Sequence, residues 1–431
     1  RIINFAENGF AELLDFIKRR MDSYWATTAL GDPDAVNLYR IVYLSFIEAI
    51  ELIRLRQHYD AGFSYPDAPT MFSAYCKELF LFDQRYRKFN ELADKVEMGG
   101  WDVLKSLRDK VEDIYSGWFM PQLGLKWGDF LEPDHPDALL ARWVMPNVHH
   151  QNDFYQYYVS HALKPSSRNR IFVVISDAFR YEAAEELTRY INGKYRLKAE
   201  LTPMLGVLPG YTALGMASLL PHQCLAIKDG SGGDILVEGK PCASMAQRSQ
   251  ILSQHEGTAI KAEELMAMSK DKGREYIKPY RLIYIYHDHI DAIGDKPASE
   301  SNTFGAVRKT IDDLYALVSF IINGLNGTHV LITADHGFIY QEKPPEPIDK
   351  SKVKTDLKDA VKTHKRFIMT TSMATPDNVY HGNTRVTAKT VNAMIIMIPK
   401  GTNRFNLVGG ARFYHGGAML QEIVIPLITV S

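Results

Sequence analysis

Cysteine is scarce: Cys76, Cys224 and Cys242 are the only three among 431 residues. Odd in number and without a Cys-x-x-Cys pair, they argue against a disulfide framework or a thiolate zinc site and fit a reducing cytoplasm. An excess charge of either sign is also missing, with 50 Lys and Arg against 51 Asp and Glu. Proteins that coat nucleic acid non-specifically carry a basic excess to replace counterions, so that class is disfavoured. A local basic patch or a nucleic-acid substrate is not thereby excluded. Long apolar runs are absent too: a membrane span needs about 18 residues, and Ala393–Pro399 is far too short. The opening Arg1-Ile2-Ile3-Asn4 has no signal-peptide pattern. Because the chain starts without Met in sequence of helical character, it is expected to be a piece of a longer protein.

What is there divides in two. From Phe5 to about Leu163 apolar residues recur at helical spacing, as in Phe10, Leu13, Leu14 and Ile17, or Tyr43, Phe46, Ile47 and Ile50. Turn signals at Gly31-Asp32-Pro33, Tyr65-Pro66-Asp67, Gly99-Gly100 and Glu132-Pro133-Asp134 punctuate an expected bundle of four to six helices. Its many aromatics read as core packing rather than a cofactor box. Residues 1–163 are therefore expected to form an α-helical interaction or linker domain. Lys164-Pro165-Ser166-Ser167 reads as a linker into a second domain, 164–431.

There the texture changes to short continuous apolar runs: Ile171–Ile175, Leu282–Tyr286, His329–Thr333, Phe367–Thr370, Met394–Ile398 and Ile423–Val430. Such runs suit strands buried on both faces, and helical stretches such as Tyr181–Ile191 and Thr303–Ile322 lie between several of them. The class is α/β with a largely parallel sheet. Gly230-Ser231-Gly232-Gly233 predicts a hairpin between Leu225–Ile227 and Ile235–Val237, and Lys343–Lys365 reads as a charged surface loop.

Open α/β sheets bind ligands at the carboxyl ends of their strands. Here those ends carry Ser176-Asp177, His287-Asp288-His289-Ile290-Asp291 with Asp295, Ala334-Asp335-His336-Gly337 and, after Phe413-Tyr414, His415-Gly416-Gly417. A lone Asp after a strand usually caps a helix or turn, and a lone His beside Gly is usually structural. Four such sites on one edge would instead supply oxygen ligands and at least two imidazoles, a set that suits zinc or manganese. Thr212 follows a predicted strand and opens a helix over Ala213–Leu220, where its hydroxyl is a simple cap or a metal-activated nucleophile.

The motif order resembles the alkaline phosphatase superfamily and, more closely, its PglZ branch, known from BREX-type phage defence and from some bacterial response regulators. The segments that carry the resemblance are VISDAFRYE (Val174–Glu182), PGYTALGMASLLP (Pro209–Pro221), YIYHDHIDAIGD (Tyr284–Asp295), ITADHGF (Ile332–Phe338) and YHGGAMLQEIVIP (Tyr414–Pro426). It covers Arg170–Ser431 and implies an alkaline phosphatase-like core. It further implies one metal surrounded by Asp177, Thr212, Asp335 and His336, and a second held by Asp291, Asp295 and His415. Many phosphodiesterase and mutase relatives have Asp-x-x-x-His where this chain has Asp291-x-x-Gly294-Asp295. An oxygen in place of a nitrogen hardens that site toward manganese or magnesium over zinc. His287, Asp288 and His289 compete with Asp291, which is preferred. Arg180 is a candidate for a phosphate oxygen or a residue of the helix start.

The resemblance implies two divalent ions, a Thr212 nucleophile and phosphodiester hydrolysis on nucleotides or DNA, within a defence complex of other BREX subunits and away from membranes. A phosphomonoesterase and a catalytically silent or partner-activated scaffold are the alternatives. A sulfatase would need a cysteine-derived nucleophile, and a phosphoglycerate mutase a Ser nucleophile and more His ligands.

Overall fold

The computed structural model describes residues 7–23, 37–163, 169–194, 197–343, 350–351, 359–372, 378–407 and 412–431. The expected turn at Gly31-Asp32-Pro33 and linker at Lys164-Pro165-Ser166-Ser167 lie outside them.

Apolar runs without alternation become strands covered on both faces. Ile171–Ser176 and Leu282–His287 are buried throughout, as is His329–Thr333 apart from its first residue. They belong to a seven-stranded sheet ordered His149–His150, Ala199–Leu205, Val424–Val430, His329–Thr333, Ile171–Ser176, Leu282–His287, Gly257–Lys261. Val424–Val430 runs antiparallel to both neighbours, and the other pairs are parallel. The sheet is thus mixed but mostly parallel, as the α/β reading required.

Register decides where the chemistry lies. Ile175 pairs with both Tyr286 and Thr333, so the loops starting at Asp177, Asp288 and Asp335 leave one edge at nearly one level. Val424–Val430 begins where its neighbours end, with Val424 opposite Leu205. The segment leading into it from His415 consequently reaches the same edge.

Not every apolar run joined this sheet. Phe367–Thr370 and Ile395–Pro399 lie in a separate four-stranded antiparallel sheet with Ala360–His364 and Val379–Asn383. Among the described residues Phe413–Tyr414 pairs only with Ile339–Tyr340. Short runs flanked by turns do not reveal which sheet they enter. The expected hairpin does form, with Leu225–Ile227 antiparallel to Ile235–Val237. Of the segment Lys343–Lys365, expected as a surface loop, residues 344–349 and 352–358 lie outside the described ones, and its end forms the strand Ala360–His364. That strand pairs with the expected run Phe367–Thr370 in a β-hairpin.

The chain divides into two compact units, 1–64 with 77–126 and 65–76 with 127–431. In the first, Phe10, Ile17, Ile50 and Ile53 form a core cluster. The Phe82 and Phe119 rings stack 4.3 Å apart and those of Tyr86 and Tyr115 3.8 Å apart, so these aromatics do pack a core. The second unit takes in residues 127–163, although the composition changes only at Lys164. That stretch is tied in by the strand His149–His150 and by the Trp143 indole, which donates to the Gly206 carbonyl at 2.8 Å. The turn signal at Tyr65-Pro66-Asp67 becomes a cap, with Asp67 accepting the Thr70 amide ahead of helix Ala68–Ala74.

Close approach fixes one glycine. A Cβ on Gly215, within helix Thr212–Ser218, would lie 2.3 Å from the Asp335 carbonyl oxygen. In a free helix, alanine would be the better residue by up to about 1 kcal/mol. Gly215→Ala should instead destabilise the protein by about 1–3 kcal/mol, read from the urea midpoint. A raised midpoint would mean that the helix does not lie on Asp335.

Candidate metal and nucleophile site

Asp177, Asp335 and His336 each bring a ligand atom within 4.8 Å of the other two. Thr212 joins them, its Oγ1 3.3 Å from His336 Nε2. The same nitrogen lies 3.6 Å from Asp177 Oδ1 and 3.4 Å from Asp335 Oδ2. On the other side of the ring, His336 Nδ1 is 3.1 Å from the Gly337 carbonyl. A carbonyl only accepts, so that nitrogen carries the proton and the Nε2 lone pair faces the carboxylates. All four residues expected around one metal are therefore brought together.

The local backbone serves this arrangement. Asp335 Oδ1 accepts the Ala178 amide at 3.1 Å, and Ala178 holds a left-handed φ of 58°, a conformation that costs a non-glycine residue about 1–2 kcal/mol. Buried Gln151 donates from Nε2 to the carbonyls of Ala334 and Asp335 at 3.1 and 2.8 Å, and its Oε1 accepts the Val207 amide at 3.0 Å. One side chain thus joins the Asp335 loop to the loop leading to Thr212. Nothing in the local pattern pointed to it, since a lone Gln in a helical tail carries no signal.

The residues expected to hold a second ion are arranged differently. His415 is common to two groups, Asp291–His336–His415 and Asp295–His364–His415, and Asp291 also meets Asp177 and Asp288. Asp291 and Asp295 share no group among the described residues. His415 Nδ1 is 2.9 Å from the Gly210 carbonyl and its Nε2 is 3.9 Å from Asp291 Oδ1, while its ring stacks on that of His336 at 3.9 Å. His364 was missed because it lies in the charged segment.

Two of the competing residues are placed differently from each other. His287 faces Ser176 Oγ at 3.2 Å and Asp313 at 3.7 Å. Asp288 is exposed and accepts the Ala292 amide at 3.2 Å, although it stays within reach of Asp177 and Asp291. Arg180 is 1% exposed, donates to buried Glu182 at 2.7 Å and has its guanidinium 4.5 Å from the centre of the Phe338 ring.

The family model described as the BREX system PglZ alkaline phosphatase-like domain matches residues 154–430. The chain belongs to the PglZ family. The alkaline phosphatase-like protein BrxZ of Escherichia coli is 39% identical over 415 residues, covering 96% of this chain and 47% of that protein. PglZ of Bacillus cereus is 33% identical over 428 residues, covering 98% and 47%. The chain thus spans about half the length of the curated relatives it matches. Among solved structures, murine ectonucleotide pyrophosphatase/phosphodiesterase 5 is 12% identical with a TM-score of 0.42, covering 61% of this chain and 88% of that one.

The electrostatics of this PglZ-family site show whether a cation fits it. Asp177 Oδ1, Asp291 Oδ1 and Asp335 Oδ2 are sealed from solvent and meet no hydrogen-bond donor among the described residues. Burial raises the pKa of all three carboxyls, and nearby carboxylates add to it: Asp335 and Asp291 act on Asp177, Asp295 and Asp288 on Asp291, and Asp291 on Asp335, which is pushed up to about 7. Burial also lowers the pKa of His336, keeping its imidazole neutral. Orphaned carboxylate oxygens around the neutral imidazole of His336 make a donor set that fits a divalent cation.

An acid whose pKa is raised by folding contributes stability at low pH and loses it as pH rises through the folded value. Chelator-stripped protein should therefore lose stability between the ordinary carboxylate value of 3.8 and about 7. Metal binding displaces the same protons, so added Mn or Zn should raise the melting temperature more at pH 8 than at pH 5. Asp335→Asn should flatten the metal-free slope and shrink the metal-induced shift. Equal shifts at both pH values would count against a carboxylate-held ion.

Proposed function

We propose that the chain carries a metal-dependent phosphohydrolase, acting on phosphodiesters of nucleotides or nucleic acid with Thr212 as nucleophile, in a BREX-type anti-phage system with other BREX subunits as partners. The supporting observation is the Thr212 hydroxyl beside His336 Nε2, at the rim of the orphaned carboxylate oxygens. No scaffold needs that combination.

Asp177, Thr212, Asp335 and His336 would hold one divalent ion, and His415 with Asp291 or Asp295 a second, as zinc or manganese with magnesium an alternative. Bound there, such ions lower the pKa of a hydroxyl and offset charge on the entering and leaving oxygens. The protein's own share is positional. The Gly337 and Gly210 carbonyls fix the rings of His336 and His415, and Gln151 sets the Thr212 loop against Asp335. Thr212 Oγ1 would form a bond to phosphorus as the ester P–O bond breaks and the alcohol departs. Water would then cleave the threonine–phosphorus ester, releasing a phosphate monoester and restoring the hydroxyl. A dianionic monoester calls for a further cation, and the Arg180 guanidinium is already engaged by Glu182 and Phe338. A diester, with one negative charge, makes no such demand.

Stripped protein reloaded with Mn, Zn or Mg should hydrolyse a chromogenic phosphodiester faster than the matched monoester. Thr212→Ala and Asp335→Ala should each reduce turnover by about a thousandfold or more. If metal is bound, as judged by elemental analysis, and neither ester turns over, the scaffold reading replaces this one.

A further inference from the structure

The spacing Asp291-x-x-x-Asp295 leaves the second site one imidazole short of the pattern in related enzymes. The structure brings an imidazole to that place from another part of the chain. Asp295, His364 and His415 each bring a ligand atom within 4.8 Å of the other two, and the His364 and His415 ring centres lie 4.8 Å apart. His364 Nδ1 is sealed from solvent and meets no hydrogen-bond partner among the described residues. We propose that His364 is a ligand of the second metal ion, together with His415 and Asp295. The hairpin Ala360–Thr370 would thus supply the nitrogen that residue 295 does not. The inference rests on the two-metal reading above.

The approach is built into the packing. Arg366, two residues beyond His364 and fully buried, donates from Nε and Nη2 to the two oxygens of Glu422 at 3.1 and 2.8 Å. Glu422 also accepts the amides of Gly417 and Met419 at 2.8 and 3.1 Å. One carboxylate therefore binds the hairpin to the loop that carries His415. Glycine makes the contact feasible. Gly416 has a φ of +105°, and a Cβ there would lie 2.6 Å from the Phe367 ring; on Gly417 it would lie 2.6 Å from Arg366 Nη2. The two glycines after His415 thus leave room for the two residues that seat the hairpin. A fully paired buried Arg–Glu bridge gives fixed geometry more reliably than net stability, which is what a ligand on a separate hairpin requires.

Metal binding itself provides the test, independent of turnover. Chelator-stripped full chain would be titrated with Co(II), following ions bound per chain by elemental analysis and the visible spectrum of the metal. The unmodified protein should bind two ions. His364→Ala should keep the first and bind the second at least about tenfold more weakly, with the spectrum of that ion altered. Adding Asp295→His should restore the second ion by recreating the Asp-x-x-x-His spacing. Thr363→Ala, at an exposed neighbouring position, should leave both ions in place. If His364→Ala fails to fold by circular dichroism, His364→Phe, which keeps a ring against those of Phe367 and His415 but removes the nitrogens, replaces it with the same weakening expected. Two ions bound with unchanged affinity and spectrum in these variants would overturn the role of His364 and leave the two-metal reading standing. Fewer than two ions in the unmodified protein would overturn both.

Discussion

Three carboxylate oxygens that water cannot reach impose the main physical constraint on the second unit of the chain. Asp177, Asp291 and Asp335 hold oxygens with no donor to meet them among the described residues. Burial drives each toward keeping its proton, and neighbouring carboxylates drive it further. Gathering them costs free energy that folding must supply elsewhere. It comes from the sheet beneath: Phe172, Val173, Val174, Ile175, Ile283 and Ile332 are fully buried, each worth about 1.5–3 kcal/mol in apolar burial. The hydrophobic strands thus do more than define a fold. They hold together charges that would otherwise separate.

The local devices around those charges act on orientation. His336 and His415 each point a ring nitrogen at a backbone carbonyl, Gly337 and Gly210 respectively, and this leaves the opposite nitrogens free to face the carboxylates. Ala178 accepts a left-handed φ and thereby aims its amide at Asp335. Gly215 lets a helix lie on the Asp335 carbonyl, placing Thr212 in reach of His336. Each device concedes a little local stability in exchange for position, a pattern typical of functional sites.

Legibility in the sequence followed the range of the interactions. Unbroken apolar runs ending in Asp or His disclosed Ile171–Ser176, Leu282–His287 and His329–Thr333, because strand burial and the polar strand end are written in consecutive residues. The grouping of Thr212 with His336 was legible only through motif order. Gln151 and His364 were not legible. Both act through the fold, joining segments 184 residues apart in the case of Gln151 and Asp335. His364 was further masked by the charges around it. The destination of Phe367–Thr370 was lost for a related reason, since an apolar run records burial and not the identity of its partner strand.

This separation of near and distant information bears on the choice between enzyme and scaffold. A protein used only as a scaffold could relieve the site at once by exchanging Asp177 or Asp335 for apolar residues, as buried ionic groups replaced by well-packed hydrophobic ones are often neutral or stabilising. This chain instead keeps the unsatisfied oxygens and surrounds them with oriented imidazoles. It also places a hydroxyl on the first turn of a helix that only a glycine lets dock. Structural economy explains none of these features, and each costs stability unless a cation fills the space between them. With a cation there, the same residues would present a polarised hydroxyl beside a charge-compensated pocket, as the proposed in-line displacement at phosphorus requires.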